Sequence, residues 1–523
     1  MANSFIIKTL TVLSWALWML PSFGQYTFTQ DIAPIIYNHC TQCHREGEIG
    51  PIPLTNYQEV SQYGAMIAYA TSSGHMPPWS PDPEYTTFIG QNVLTDEEIE
   101  MIHQWVLTGM AEGDPQLEPE LPEFPQGSQI GEPDMVITMD QPYFHEGDWT
   151  DQYQVFVLPL DLDQERDVRA IEVRPGNASI AHHAILALDT TSTGELLDAG
   201  DPEYGYESFG GFGFNPANPM LTAWVPGTRP QIFPNGIGNR LTANSKILLQ
   251  MHYGPTGDDQ SDETSINIFF AEEPVSRYVV TFPMSPLDLE EAFVIPPDTI
   301  ITFHGTVEAP IDVSVLGIAP HAHLLGKSWE VFATGPGEDT IPLIRIPEWD
   351  FNHQGFYTYP NLLKIPAGYT VHCLGTYDNT DNNPNNPNHP PSWVSWGEGT
   401  EDEMYLCYFT VIPYWEGDEN ISLEDAEETT GIPEIPAPRL FLPWPNPADE
   451  QVQIGIGVPF PSRISLELLD AQGKVVKTFF SNRYFGFGHH LEDLTISDTA
   501  PGMYYLRMLE EGGRISSRPL LIK

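Results

Sequence analysis

Residues 245–253 read SKILLQMHY: Ser245 and Lys246, the apolar run Ile247, Leu248 and Leu249, then Gln250, Met251, His252 and Tyr253. The stretch has the length of a strand, and it has counterparts. YQVFVLPL (153–160) and DEMYLCYFTVIPY (402–414) are of the same kind, and Gly, Pro and Asn turns separate such runs from Met135 to about Pro413. Short alternating runs with turn residues between them read as strands, and a series of this length reads as two β-sandwiches in tandem. The 50 prolines and 43 glycines in 523 residues, with few long runs of helical periodicity, point the same way.

The flanks of this β-rich centre differ from it. Residues 1–24 have a positive Lys8, a short apolar core over 9–20 and small residues before Gln25, the pattern of a secretory signal peptide. No other stretch is long and apolar enough to cross a bilayer, so export to the periplasm without a stable membrane span is expected. Residues 25–114 read as a small all-α domain, and 115–133 as an acidic, Pro-rich extended linker. Two sandwiches are expected over 134–285 and 286–414. A second acidic linker follows over 415–439, and a small β-sandwich over 440–523. The 72 acidic against 21 basic side chains, net −51, repel nucleic acid and anionic membranes and argue against a nucleic-acid partner.

Cys40-Thr41-Gln42-Cys43-His44 is a C-x-x-C-H motif, which reads as covalent c-type haem attachment: two thiols bond the haem and His44 ligates the iron. A zinc knuckle would need a second matching ligand pair, and a redox dithiol would need a βαβ setting. GHMPPW (74–79) offers Met76 as the other iron ligand, with Met66 and His75 as alternatives. Thr95 and Glu98 form a capping box before a helix that includes His103. Together these features resemble a small cytochrome c. His39 and His103 are read as surface or helix-face residues.

The centre of the chain holds spaced histidines: His182 and His183 in NASIAHHAILALD, His252 in LLQMHYGP, and His321 and His323 in PHAHLLGK; Met404 follows in TEDEMYLCYF. They divide into three imidazoles and two imidazoles plus a thioether. Imidazole suits several transition metals, and a thioether selects Cu(I). Adjacent His182 and His183 face opposite ways on a flat strand, so joint ligation requires a strand end or bulge. His321 and His323 share a face with no distortion if the strand continues through them.

The order HH, Q-x-H-Y, H-x-H-L-x-G-K and D-E-M resembles the type II copper, ascorbate-dependent monooxygenases, the family of peptidylglycine α-hydroxylating and dopamine β-monooxygenases. The resemblance spans about 132–413. It implies two jelly-roll-like sandwiches, an electron-transferring copper at His182, His183 and His252, and an O2-activating copper at His321, His323 and Met404, with Gln250 beside the first. It also implies a small-molecule substrate and an external donor, ascorbate-like or a redox protein. Ala319-Pro320 stand where some members place an arginine that binds a peptide carboxylate, which argues against a peptide substrate. Tyr405, not cysteine, follows Met404; a Cys373–Cys407 disulfide is an expectation.

His489-His490 is read as a solvated loop pair. His145, His304, His353, His372 and His389 are read as structural or surface residues, though His372, beside Cys373, could orient a ligand. The Asn/Pro-rich loop 378–393 precedes Met404 and could shape a cleft mouth. PWPNP at 443–447, LLDAQGKVV at 468–476, GMYYLR at 502–507 and a terminal lysine resemble the C-terminal sorting domain of the type IX secretion system, which implies that machinery as a partner and a secreted or cell-surface destination. The expected protein is a copper monooxygenase with two coppers and one covalent haem c. The alternative is a non-catalytic haem and copper electron-transfer or copper-binding surface protein.

Overall fold

The computed structural model describes residues 25–424 except 125–126, 338 and 398, and residues 439–523 except 441–442, 444, 450, 459–461, 471, 486–487, 498 and 511–514. The expected signal peptide and most of the second acidic linker lie outside the described residues. The chain is mostly β-sheet, with a small helical region near the N-terminus. Among the described residues, no helix is long and apolar enough to cross a membrane. Two compact units are present: Met1–Trp79 with Asn92–Pro125, and Ser80–Gln91 with Gln126–Lys523.

The first unit is helical. Its helices Ala33–His39, Tyr57–Gln62, Gly64–Ser72 and Asp96–Leu107 enclose a core of Phe28, Ile32, Ile36, Val60, Ile102 and Trp105. Asp96–Leu107 starts at the expected capping box: Thr95 accepts the Glu98 N–H while Glu98 accepts the Thr95 N–H. Spacing of Ile102 and Trp105 by three residues then puts both on the buried face. Two boundaries differ from the sequence reading. The stretch read as a free linker from 115 packs on this unit, because Tyr37 Oη donates to Glu118 at 2.5 Å and Arg45 lies 3.9 Å from the Phe124 ring centre. Residues 80–91, counted with the helical domain by sequence, belong to the second unit. There Asp82 pairs with Arg345, Ile89 N–H donates to the Thr358 carbonyl, and Phe88 packs on Tyr357 and Tyr359.

In the second unit two five-stranded sheets face each other. One runs Met135–Thr138, Ser265–Phe270, Arg166–Arg174, Ile237–Leu241, Arg277–Tyr278; the other runs Tyr206–Glu207, Gln152–Pro159, Lys246–Tyr253, Ala181–Asp189, Asn218–Trp224. Phe156, Leu186, Leu249, Met251, Ile171 and Ile268 fill the space between them. Lys246–Tyr253 is buried along nearly its whole length, because Phe212 and Tyr206 cover Leu248 on its other side. That explains why residues 247–249 form a continuous apolar run instead of strictly alternating.

Two four-stranded sheets follow: Val280–Met284, Leu406–Pro413, Val313–His321, Tyr357–Ile365, and Thr299–Glu308, Thr370–Asn379, Gly326–Thr334, Thr340–Ile346. The change of sandwich falls between Tyr278 and Val280, a few residues before the expected boundary at 285, because Val280–Met284 pairs with Leu406–Pro413. Cys373 and Cys407 are buried between these sheets as thiols, and not as the expected disulfide; the Cys373 thiol donates to Met284 Sδ at 3.4 Å. Residues 439–523 form two further sheets around Ile454, Ile464, Leu466, Leu506 and Leu520.

Candidate metal centres

Ala181–Asp189 and Lys246–Tyr253 are adjacent antiparallel strands. Their register pairs Ala181 with Tyr253 and His183 with His252, so His182 is an extra residue on its strand. This is the bulge that joint ligation requires. His182 Nδ1 lies 3.3 Å from His183 Nδ1, which lies 3.4 Å from His252 Nδ1. One ring nitrogen from each residue falls within 4.8 Å of the others. Nitrogens about 2.0–2.1 Å from one ion at a tetrahedral angle stand about 3.3–3.4 Å apart, so the spacing fits a bound ion.

Burial, then the neighbouring His252, lowers His182 to about 4; burial lowers His183 well below its ordinary value. Both imidazoles are therefore neutral at neutral pH, the form able to ligate a metal. His252 Nε2 donates to Asp151 Oδ1 at 2.7 Å, a bond that holds the Asp151 carboxyl low and leaves His252 Nδ1 free to ligate. Tyr153 stacks on His252 at 4.1 Å, and Phe209 meets Tyr153 edge-on at 4.5 Å. Gln250, expected beside this set, donates to the Ser208 carbonyl at 3.1 Å and to that of Gly211. It therefore braces the loop carrying Phe209.

The second set is assembled differently from the sequence expectation. The strand Val313–His321 ends at His321, and His323 lies in the turn that follows. Their rings are 5.2 Å apart and nearly perpendicular. His321 Nδ1 contacts Gln354 Oε1 at 2.6 Å and His323 Nδ1 contacts the Asp402 carbonyl at 3.3 Å. Both acceptors take a ring N–H and leave each Nε2 free to ligate. Burial lowers His321 to about 3 and also lowers His323. Register pairs His321 with Leu406, two residues from Met404. The Glu403 carboxyl group, pushed up to about 8 by burial, accepts the N–H groups of His323, Leu325 (2.9 Å) and Met404 (2.8 Å), so one buried side chain holds both segments together. Tyr377 Oη donates to the Met404 carbonyl at 2.8 Å, and Asn383 in the Asn/Pro loop donates to the Leu324 carbonyl at 3.3 Å. That loop therefore buttresses the histidine turn.

Phe351 touches both sets. Phe351 stacks on His182 at 5.7 Å and meets His323 edge-on at 5.8 Å. Asp151, Phe351 and Gln354 carry no local sequence signal, since their roles depend on partners far along the chain. Glu403 stands inside the D-E-M run, so an acidic side chain beside the candidate methionine could have been read from it.

In the helical unit, His44 Nδ1 contacts the Ile52 carbonyl at 2.9 Å, leaving Nε2 for a ligand. Gly50 N–H donates to the Cys43 carbonyl, and a Cβ at Gly50 would approach that oxygen to 2.5 Å, so only glycine fits the turn. Burial pushes Cys40 up to about 12 and also raises Cys43. That is opposite to the lowered thiol of a redox dithiol. Met76 lies after the helix Gly64–Ser72, and its N–H donates to the Ala70 carbonyl.

Residues 443–523 match the secretion system C-terminal sorting domain. The tail is a type IX sorting domain. It implies interaction with that secretion machinery, and secretion or cell-surface attachment. No curated protein matches the chain. Solved structures with some likeness include a β-glucuronidase of Faecalibacterium prausnitzii (11% identity, TM-score 0.12, 43% of this chain and 37% of that one). The dimeric latent PorU of Porphyromonas gingivalis is another (10%, TM-score 0.16, 72% and 34%). The chain thus spans little more than a third of either, and overlap at these TM-scores carries no argument about fold or activity.

Proposed function

We propose that the protein is an exported copper-dependent monooxygenase that inserts one oxygen atom of O2 into a substrate C–H bond. The reaction is R–H + O2 + two electrons + two protons giving R–OH + H2O. In this reading the central sandwiches are jelly-roll-like, His182, His183 and His252 hold one copper, His321, His323 and Met404 hold the other, and Cys40, Cys43, His44 and Met76 hold a haem c.

The observation that carries the reading is the His182 bulge, which brings one ring nitrogen from each of three imidazoles within ligating distance of a single ion. When bound, copper supplies electron transfer at the first set and O2 activation at the second. The chain's own side chains orient the ligands. Asp151 takes the His252 N–H; Gln354 and the Asp402 carbonyl take those of His321 and His323; Glu403 keeps the Met404 segment beside the histidine turn. Phe351 packs against a histidine of each set. Ala319 and Pro320 offer no cation for a peptide carboxylate, which favours another small molecule. The haem is the proposed electron entry.

The test combines metal analysis with oxygen uptake. The full chain should take up two coppers and one haem. Substrate-dependent O2 consumption, screened over small aromatic, aliphatic and peptide candidates, should disappear in His323→Ala and Met404→Ala. Unchanged turnover in Met404→Ala would sink the reading.

A further inference from the structure

The outer face of the second sandwich carries a different histidine pair. Thr299–Glu308 and Thr370–Asn379 are neighbouring antiparallel strands whose register pairs His304 with Leu374 and Thr306 with His372. The two histidines are therefore diagonal neighbours. Burial alternates along Thr370–Asn379, with Cys373 inward and His372 outward. His304 is exposed.

His304 Nε2 and His372 Nδ1 are 2.9 Å apart. Two nitrogens about 2.0–2.1 Å from one ion, at a right angle, stand about 2.9 Å apart. His372 is also held in orientation. Its Nε2 lies 2.8 Å from Thr334 Oγ1, and Phe332 stacks on its ring at 5.0 Å and 22°. A hydroxyl accepting the Nε2–H leaves the Nδ1 lone pair aimed at His304, the arrangement that orients a metal-binding imidazole. Burial and the neighbouring His304 keep His372 below its ordinary range, so it is available as a neutral ligand.

We propose that His304 and His372 form a surface chelate for a divalent transition-metal ion, with Cu(II) the tightest ligand and water completing its shell. Two imidazoles with open positions suit Cu(II), Ni(II) or Zn(II), and Cu(II) leads the affinity order. The exposure of His304 leaves room for the waters. The pair shares no residue with either ligand set above, so it stands independently of the monooxygenase reading.

The probe is Cu(II) alone, added to the metal-free full chain in equilibrium dialysis with electron paramagnetic resonance. His304→Gln and His372→Gln should each bind one equivalent less than the parent and lose the same spectral component. Thr334→Val should weaken that equivalent severalfold while keeping its stoichiometry. Both histidine variants replace outward-facing side chains, and far-ultraviolet circular dichroism checks that they fold. The proposal is overturned if both bind as much Cu(II) as the parent with an unchanged spectrum. His183→Ala should retain the pair's component; its loss there would also count against an independent site. A failure of copper binding at His182, His183 and His252 alone bears on the monooxygenase reading and not on this pair.

Discussion

His182, His183 and His252 lie on two neighbouring strands of one sheet, whereas His321, His323 and Met404 come from a strand end, a turn and the approach to another strand. In the first set the sheet does the positioning: one extra residue re-aims two side chains, and the ladder on either side holds the rest. In the second set the buried Glu403 side chain does it, by accepting backbone N–H groups from the turn and from Met404. The first set should therefore tolerate loss of a neighbouring polar group better than the second. Side chains fixed by a ladder keep their place when one hydrogen bond goes; side chains fixed by one acceptor do not.

The largest expected effect tests that contrast directly. Glu403→Ala removes the acceptor of three backbone N–H groups at a buried position. It should cost about 3 kcal/mol or more in denaturant unfolding, and it should abolish metal binding at His321, His323 and Met404 while sparing the other set. Equal loss at both sets would break the comparison. Met404→Ala, on the turnover scale, should lower substrate oxidation at least about 100-fold, since even partners of metal ligands cost 10–100-fold; single-turnover kinetics would measure it.

Acid should separate the metal-free protein from variants lacking these imidazoles. His182 at about 4 and His321 at about 3 bind fewer protons when folded than the ordinary 6.5 implies for the unfolded chain. Their stabilising neutrality is present above about pH 6.5 and is lost as the pH falls towards 4 and then 3. Thermal melts of the metal-free protein should lose on the order of 2 kcal/mol per such residue over that window, and His182→Asn should flatten the slope. An unchanged slope would show that His182 is not held neutral by burial. The smallest effect is expected at the first set: Asp151→Ala should reduce its copper affinity about 10-fold, measured by competition with a chelator, with little change in stability because Asp151 is itself partly exposed.

Much of the β-rich fold was legible because alternation and turn chemistry are local properties. Thr370–Asn379 alternates along its whole length as its sequence suggests, and the Thr95 to Glu98 capping box is closed by residues three apart. The domain edges were less legible. Residues 80–91 resemble the loops around them, and only Asp82 pairing with Arg345 assigns them to the second unit. The linker from 115 reads as extended by composition, yet Glu118 and Phe124 find partners on Tyr37 and Arg45.

By itself, the sequence determined which candidate side chains are present, namely the C-x-x-C-H run, the spaced histidines and Met404, together with a sorting tail recognisable from its own residues. Tertiary structure alone decided how they meet. The bulge at His182 depends on register against a strand about seventy residues away; the strand carrying His321 stops before His323; Glu403, Phe351 and Gln354 take their places from partners distant in the chain. His304 and His372 looked unremarkable because they are 68 residues apart, and only strand pairing brings them to 2.9 Å. The physical reason is the same in each case. A strand's side-chain alternation is set by its own backbone, but its register, its bulges and its end are set by the strand beside it.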